Sequence, residues 1–270
     1  MHTPTSSSSL TAHAGSETDT CGRIPVFASR LGSWHLSLQR QPHDPANLST
    51  SYDLAAAGWH NKIDRLDYLP AYRALLKQAL AHWSETGSVP QLKALDCGTG
   101  TGALSEALAG ASAVPLKVEA VDISPAMLGK AGERLRSIGV DVVLRQADVQ
   151  QLPYADDCFD IVMAGHILEH LPDPVAALRE MVRVVRPGGL VFTCITRRSL
   201  PGLWIHLLWR THMVSPLEAE NWFHRAGLQH VRCITPSGKR HFRQLSVACC
   251  GIKPDTRSFN CTGREIFAPC

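Results

Sequence analysis

The segment "LKALDCGTGTGALSEAL", residues 92–108, places Gly98, Gly100 and Gly102 between an apolar run and a helix-forming one. Glycines so spaced let the backbone adopt dihedrals closed to other residues and approach a ligand closely. The helix that follows aims its free N–H groups at the same place, which suits an anionic or carboxylate-bearing ligand. Gly98, Gly100 and Ala103 also satisfy GxGxxA, a permitted form of the dinucleotide fingerprint, so the loop alone allows a pyrophosphate or an amino-acid moiety. The acids around it narrow the choice. Asp122 ends the next apolar run, about 20 residues beyond the glycines, where a carboxylate accepts from both hydroxyls of a ribose. Asp148 ends a third run. It could accept from the exocyclic amine of an adenine while the Val149 N–H faces a ring nitrogen, or it could cap a turn.

The elements that must position these residues alternate. "LKALDC", "KVEAVDIS", "VDVVLRQAD", "CFDIVMAG" and "LVFTCIT" read as apolar strands. Between them lie the helical stretches "GALSEALAG", "PAMLGKAGERLRSIG" and "DPVAALREMVRVVRPGG". Ser124 is a natural N-cap with Pro125 in the first turn, and Pro187 with two glycines should stop the third helix. Nearly continuous apolar strands joined by helices imply a parallel sheet covered on both faces. The helix "SPLEAENWFHRAG" precedes two closing strands, "HVRCITP" and "QLSVACCGI", whose short turn forces them antiparallel. The predicted fold is α/β: a doubly wound, mostly parallel seven-stranded sheet with an antiparallel last strand and an N-terminal helical lid. Ligands in such sheets bind beyond the carboxyl ends of the strands. The expected domains are a disordered Ser/Thr-rich extension over 1–48, a helical lid over 49–89, a cofactor-binding domain over 90–253 and a tail over 254–270.

Five ordered segments now carry a resemblance: "LDCGTGTG", "VEAVDISPAML", "ADVQQLPYADDCFDIV", "HILEHLPDP" and "VVRPGGLV". The chain resembles a class I S-adenosylmethionine-dependent methyltransferase of the small-molecule branch that includes the quinone C-methyltransferases. The resemblance implies S-adenosylmethionine as cofactor. It assigns Gly98, Gly100 and Gly102, with Thr99 of the same loop, to the methionine end, Asp122 to the ribose and Asp148 with Val149 to adenine. Asp96 would act through water or the cofactor amine, and Ile123 and Met127 would pack against adenine. An NAD-dependent dehydrogenase would explain the glycines and Asp122, but not Asp148, the "FD" strand start or "RPGG".

"HILEH" also matches HxxEH, the inverted zinc-peptidase signature, with His166 and His170 on one helical face and Glu169 as base. Those peptidases have another architecture and need a further distant carboxylate, so no metal is expected. Methyl transfer is an in-line displacement in which the protein aligns the nucleophile and can remove its proton. His166, just after the fourth strand, is the candidate polar group near the methyl and the cofactor. Tyr52, in a "YD" pair that in related enzymes closes over the cofactor, is the second catalytic candidate. Tyr52 and Trp59 on the lid, with Trp204, Trp209 and Arg210 after the fifth strand, would line the acceptor pocket.

Net charge is +3, with 44% apolar and 19% charged residues and no dense basic run. That argues against nucleic acid, and no NPPY-type tetrapeptide follows the fourth strand. The longest apolar run, near 200–209, is about half a bilayer span. The expected partner is a small methyl acceptor, with no membrane span, in a cytoplasmic monomer or homodimer. Nine irregularly spaced cysteines without a CxxC pair are expected to be reduced thiols, and neighbours Cys249 and Cys250 should face opposite sides of a strand. The expected activity is methyl transfer to an O, N or C nucleophile of an aromatic or partly apolar metabolite. The alternative is a cofactor-binding but silent partner subunit.

Overall fold

The computed structural model describes 24–31 and 34–40 (backbone only), 68–84, 90–197, 214–234 and 246–255. The chain divides into two compact units, Met1–His43 and Asp44–Cys270. In the first, β1 (Ile24–Leu31) and β2 (Trp34–Arg40) pair antiparallel, Leu31 opposite Trp34. The sequence predicts disorder there. The alternation of Trp34, Leu36 and Leu38 with His35, Ser37 and Gln39 is the period-two strand signal that composition overlooks. The rest of the predicted extension, and the tail beyond 255, lie outside the described residues.

In the second unit α1 (Tyr68–Ser84) leads into β3 (Leu92–Cys97), α2 (Ala103–Ala109), β4 (Leu116–Asp122), α3 (Pro125–Ser137) and β5 (Asp141–Gln146). Then follow β6 (Phe159–Gly165), α4 (Pro174–Val184), β7 (Val185–Thr196), α5 (Pro216–Arg225), β8 (Gln229–Ile234) and β9 (Ser246–Ile252). The helix starts have local causes. Pro70 sits in the first turn of α1, where its missing N–H costs little. The Ser124 side chain accepts from the Met127 N–H, Asp173 caps α4, and Ser215 with Glu218 forms a capping box on α5.

The sheet has seven strands in the order β5-β4-β3-β6-β7-β9-β8. β3 pairs in parallel with β4 and β6, whereas β9 runs antiparallel between β7 and β8. Order therefore reverses between β3 and β6, and the carboxyl ends of β3, β4, β6 and β7 meet the amino end of β9 at one edge. Alternate residues of each strand enter two cores. Leu95, Val162 and Cys249 lie in one with Met181 and Phe223, and Ala94, Ile161 and Cys250 in the other with Leu75, Leu76 and Leu108.

Two expectations are corrected. α4 stops at Val184, not at Pro187. "RPGG" lies inside β7 as a bulge, with Phe159 opposite Val185 but Ile161 opposite Leu190, because the chain already pairs with β6 at Val185. Cys233 and Cys249 form a disulfide, although all the cysteines were expected to be reduced. They sit directly opposite on β8 and β9 with Cα atoms 4.3 Å apart, a proximity that chain spacing does not reveal. Cys97, Cys158, Cys194 and Cys250 are free thiols among the described residues. None of the described helices is long and apolar enough to cross a membrane.

Phe192 on β7 is fully buried in the α1/α2 core. Phe192→Ala should lower the unfolding free energy by about 3–5 kcal/mol in urea titration.

Candidate cofactor and acceptor site

Asp96, the penultimate residue of β3, is 0% exposed. Its Oδ2 accepts from Thr99 Oγ1 at 2.9 Å and Ser105 Oγ at 2.6 Å, while its buried Oδ1 has no hydrogen-bond partner. Burial raises its pKa to about 6 against those two hydrogen bonds, and the Asp122 carboxylate adds to the rise. Ionising the group in place costs about 3 kcal/mol, so its burden on stability grows as pH rises from about 4 to about 6.

The glycine loop wraps over that carboxylate. Gly98, Gly100 and Gly102 all have positive φ, at 64°, 53° and 80°. A Cβ on Gly98 would come within 2.3 Å of Ile167 Cδ1, whereas one on Gly100 would enter open space. The left-handed φ favours glycine at 98, where a side chain would also have to displace the end of Ile167, and Gly100 borders open space. Thr99 was expected to touch the cofactor. Its hydroxyl is turned to Asp96, its N–H donates to Val121 O and its carbonyl accepts from Gly102 N, so it braces the loop. Asp122, at the end of β4, accepts from Gly100 N at 2.8 Å and Ser124 N at 2.9 Å. These bonds tie the second strand end to the loop.

Further along the edge, Asp148 accepts from Gln150 N at 2.9 Å in a turn, and Val149 is buried. Asp148 therefore caps a turn. Ile123 is half-buried and presents surface. Met127 is 2% exposed and packs inside the domain.

The second cluster sits at the ends of β6 and β7. His166 follows β6 in the left-handed region with φ 56°, a strained conformation for a non-glycine residue. Its Nδ1 lies 3.1 Å from Glu169 Oε1 and 3.2 Å from Thr196 Oγ1, and its Nε2 3.3 Å from Ser246 Oγ. Glu169 is 0% exposed, and its Oε1 also accepts from the Thr196 N–H and hydroxyl. Burial opposes the imidazolium, but hydrogen bonds to Cys194 and Glu169 outweigh it and hold the His166 pKa well above its ordinary value. Burial would raise Glu169 too, yet His166, His170 and Thr196 keep its pKa below the usual carboxylate range. The two form a buried ion pair. The shift favours His166 as the charged partner of Glu169.

The segment after His166 is a short 3-10 turn, Leu168–His170, so His166 and His170 do not share a helical face as the zinc-peptidase motif requires. Tyr68 and Tyr72 of α1 pack their rings 5.7 and 6.3 Å from that of His166. Tyr52, Trp59, Trp204, Trp209 and Arg210 lie outside the described residues. Ser105, Thr196 and Ser246 escaped the sequence reading. Thr196 stands where a search of strand carboxyl ends would find it, and Ser246 begins β9, whose reversed direction brings its first residue to this edge opposite Thr196.

A model described as a methyltransferase domain matches residues 95–193. A ubiquinone biosynthesis O-methyltransferase of Methylococcus capsulatus is 38% identical over 144 residues, 53% of this chain and 58% of that protein. One of Caulobacter vibrioides is 31% identical over 186 residues, 65% of this chain and 69% of that protein. The chain spans about half the length of the first curated relatives it matches, at 58%, 41% and 55%. Magnesium protoporphyrin IX methyltransferase from Synechocystis, solved with bound SAH, superposes with TM-score 0.57 at 18% identity, covering 76% of this chain and 99% of that one. At that identity the likeness shows the fold. A seven-stranded sheet of this order, with a glycine loop after β3 and an acid closing β4, defines a Rossmann-like methyltransferase domain. The chain belongs to the class I S-adenosylmethionine-dependent methyltransferases.

Two outcomes follow from the geometry. Gly98→Ala should destabilise the fold by about 1–2 kcal/mol through its left-handed φ, plus the displacement of Ile167, as read by chemical denaturation. His166 contributes stability that is fully present below about pH 6.5 and lost as pH rises through its higher folded pKa. Glu169→Gln should lower the His166 pKa by at least about one unit in an NMR titration, and that alkaline loss should shrink.

Proposed function

We propose that the protein transfers the methyl group of S-adenosylmethionine to an O, N or C nucleophile of a small aromatic or partly apolar metabolite, with a phenol or hydroquinone as the best-supported class. The observation that carries this reading is the buried Asp96 carboxylate under the glycine loop, with one oxygen filled and the other unpartnered. The residues fit the cofactor. Asp96 Oδ1 would accept from its ammonium group, the space beside Gly100 would take its methionine end, and Asp122 would hold the ribose. Asp148 and Val149, with Ile123, would hold adenine. The cofactor supplies an electrophilic methyl on a sulfonium sulfur.

The chain's own residues align and enclose. Asp96, Thr99 and Ser105 fix the loop, and Asp122 joins it to β4. His166, Tyr68 and Tyr72 stand beyond the end of β6, where the acceptor would approach. The quinone-biosynthesis names of the relatives support an aromatic acceptor, and Tyr52, Trp59, Trp204, Trp209 and Arg210 are proposed to complete its pocket.

Calorimetry with S-adenosylmethionine tests this reading. Asp122→Ala should weaken binding about tenfold or more, the scale of one or two charge-assisted hydrogen bonds. Because Asp96 is ionised only above about pH 6 in the free protein, wild-type affinity should fall as pH drops through that value. In Asp96→Asn the pH dependence should vanish and affinity be low throughout. Absence of binding, or equal affinity in Asp122→Ala, would contradict the assignment.

A further inference from the structure

The two outer strands of the seven-stranded sheet differ. β8 pairs with β9 through a register shift between Gln229 and Arg232, where His230 takes a left-handed φ of 50°, so that edge is irregular. β5 pairs with β4 residue for residue, from Lys117 beside Asp141 to Asp122 beside Gln146, with no shift. Its sequence, DVVLRQ, has no proline or glycine to interrupt the outer row of backbone N–H and C=O groups, and no described strand pairs with that row. Asp141, Val143 and Arg145 share one face and are all exposed, whereas Val142 and Leu144 on the other face are half-buried. Val143 is 42% exposed, and Ile138, just before the strand, is 46% exposed. With Leu217 of α5 they are the exposed large apolar side chains among the described residues, so apolar surface gathers at this edge.

We propose that β5 pairs antiparallel with β5 of a second copy of the chain, across a two-fold axis at Val143, joining two sheets into one. The main-chain groups of the edge supply the bonds, and the alternating side chains set the register. A two-fold axis normal to the sheet keeps every residue on its own face, so the axis must pass through a residue. At Val143 it sets Val143 against its own copy, Asp141 against Arg145, and Val142 against Leu144. Each pair is apolar with apolar or acid with base, the combinations that stabilise cross-strand neighbours. Moving the axis to Val142 sets Asp141 against Val143, and moving it to Leu144 sets Val143 against Arg145. Only the register centred on Val143 matches the charges, and the symmetry makes that ion pair twice. On the same face Lys117 lies beside Asp141 and Glu119 beside Val143, and the Arg145 guanidinium lies over the Tyr154 ring at 5.4 Å. These neighbours leave Asp141 and Arg145 exposed.

The test is sedimentation equilibrium of the full chain at low salt, where surface charge pairs are least screened. The wild type should sediment at twice the mass of one chain. Asp141→Arg and Arg145→Asp each set like charges opposite one another, and each should sediment as a single chain at the concentration where the wild type is paired. Asp141→Arg combined with Arg145→Asp restores opposite charges in the same register and should recover the dimer. Val143→Cys, when oxidised, should give a covalent dimer on non-reducing electrophoresis that the wild-type chain, with its own nine cysteines, does not give, because this register sets position 143 against itself. A wild type that sediments as a single chain, a dimer that survives both single substitutions, a folded double variant that stays a single chain, or no covalent dimer from Val143→Cys would each overturn the proposal.

Discussion

The working edge of this domain is organised around one buried carboxylate. Asp96 is sealed at the end of β3, and keeping it ionised costs about 3 kcal/mol, a sizeable part of what a domain has to spare. Thr99 and Ser105 recover part of that cost through one oxygen. In doing so they set the glycine loop and the first turn of α2. Those two contacts leave Thr99 facing inward, bring Gly100 against Asp122 and so bind the ends of β3 and β4 into one cradle. The loop conformation, which glycine alone tolerates, follows from the anion beneath it.

A second buried charge works differently. Glu169 is held through one oxygen, Oε1, by Thr196 and His166, while its buried Oε2 has no hydrogen-bond partner. It fixes the turn after β6, holds His166 in a strained backbone conformation and ties β7 to that turn. Asp96 and Glu169 each keep one buried oxygen without a hydrogen-bond partner, but the charge of Glu169 is balanced by His166.

Much of this was legible in the sequence because strands end in a predictable place. The glycine spacing, Asp122 and Asp148 could be put at one edge without coordinates, since a parallel sheet gathers its carboxyl ends. The antiparallel β9 followed from the short connection before it. What the sequence hid were relations between segments distant in the chain. Ser246 enters the site because β9 runs backwards, and the Cys233–Cys249 pairing arises from register across two strands. Thr99 was misread because a loop residue's side chain can turn to the protein as readily as to a ligand. The raised pKa of His166 was not legible, because it depends on a carboxylate whose burial no spacing reports.

The central claim is that this site moves a methyl group. Its most direct measurement is mass spectrometry of the protein incubated with methyl-labelled S-adenosylmethionine and a panel of hydroquinones and phenols. The account predicts stoichiometric S-adenosylhomocysteine together with a labelled, methylated acceptor, both lost in Asp96→Asn. A protein that binds the cofactor tightly yet transfers label to no member of the panel, nor to any component of a metabolite extract, would contradict it and leave a silent cofactor-binding partner.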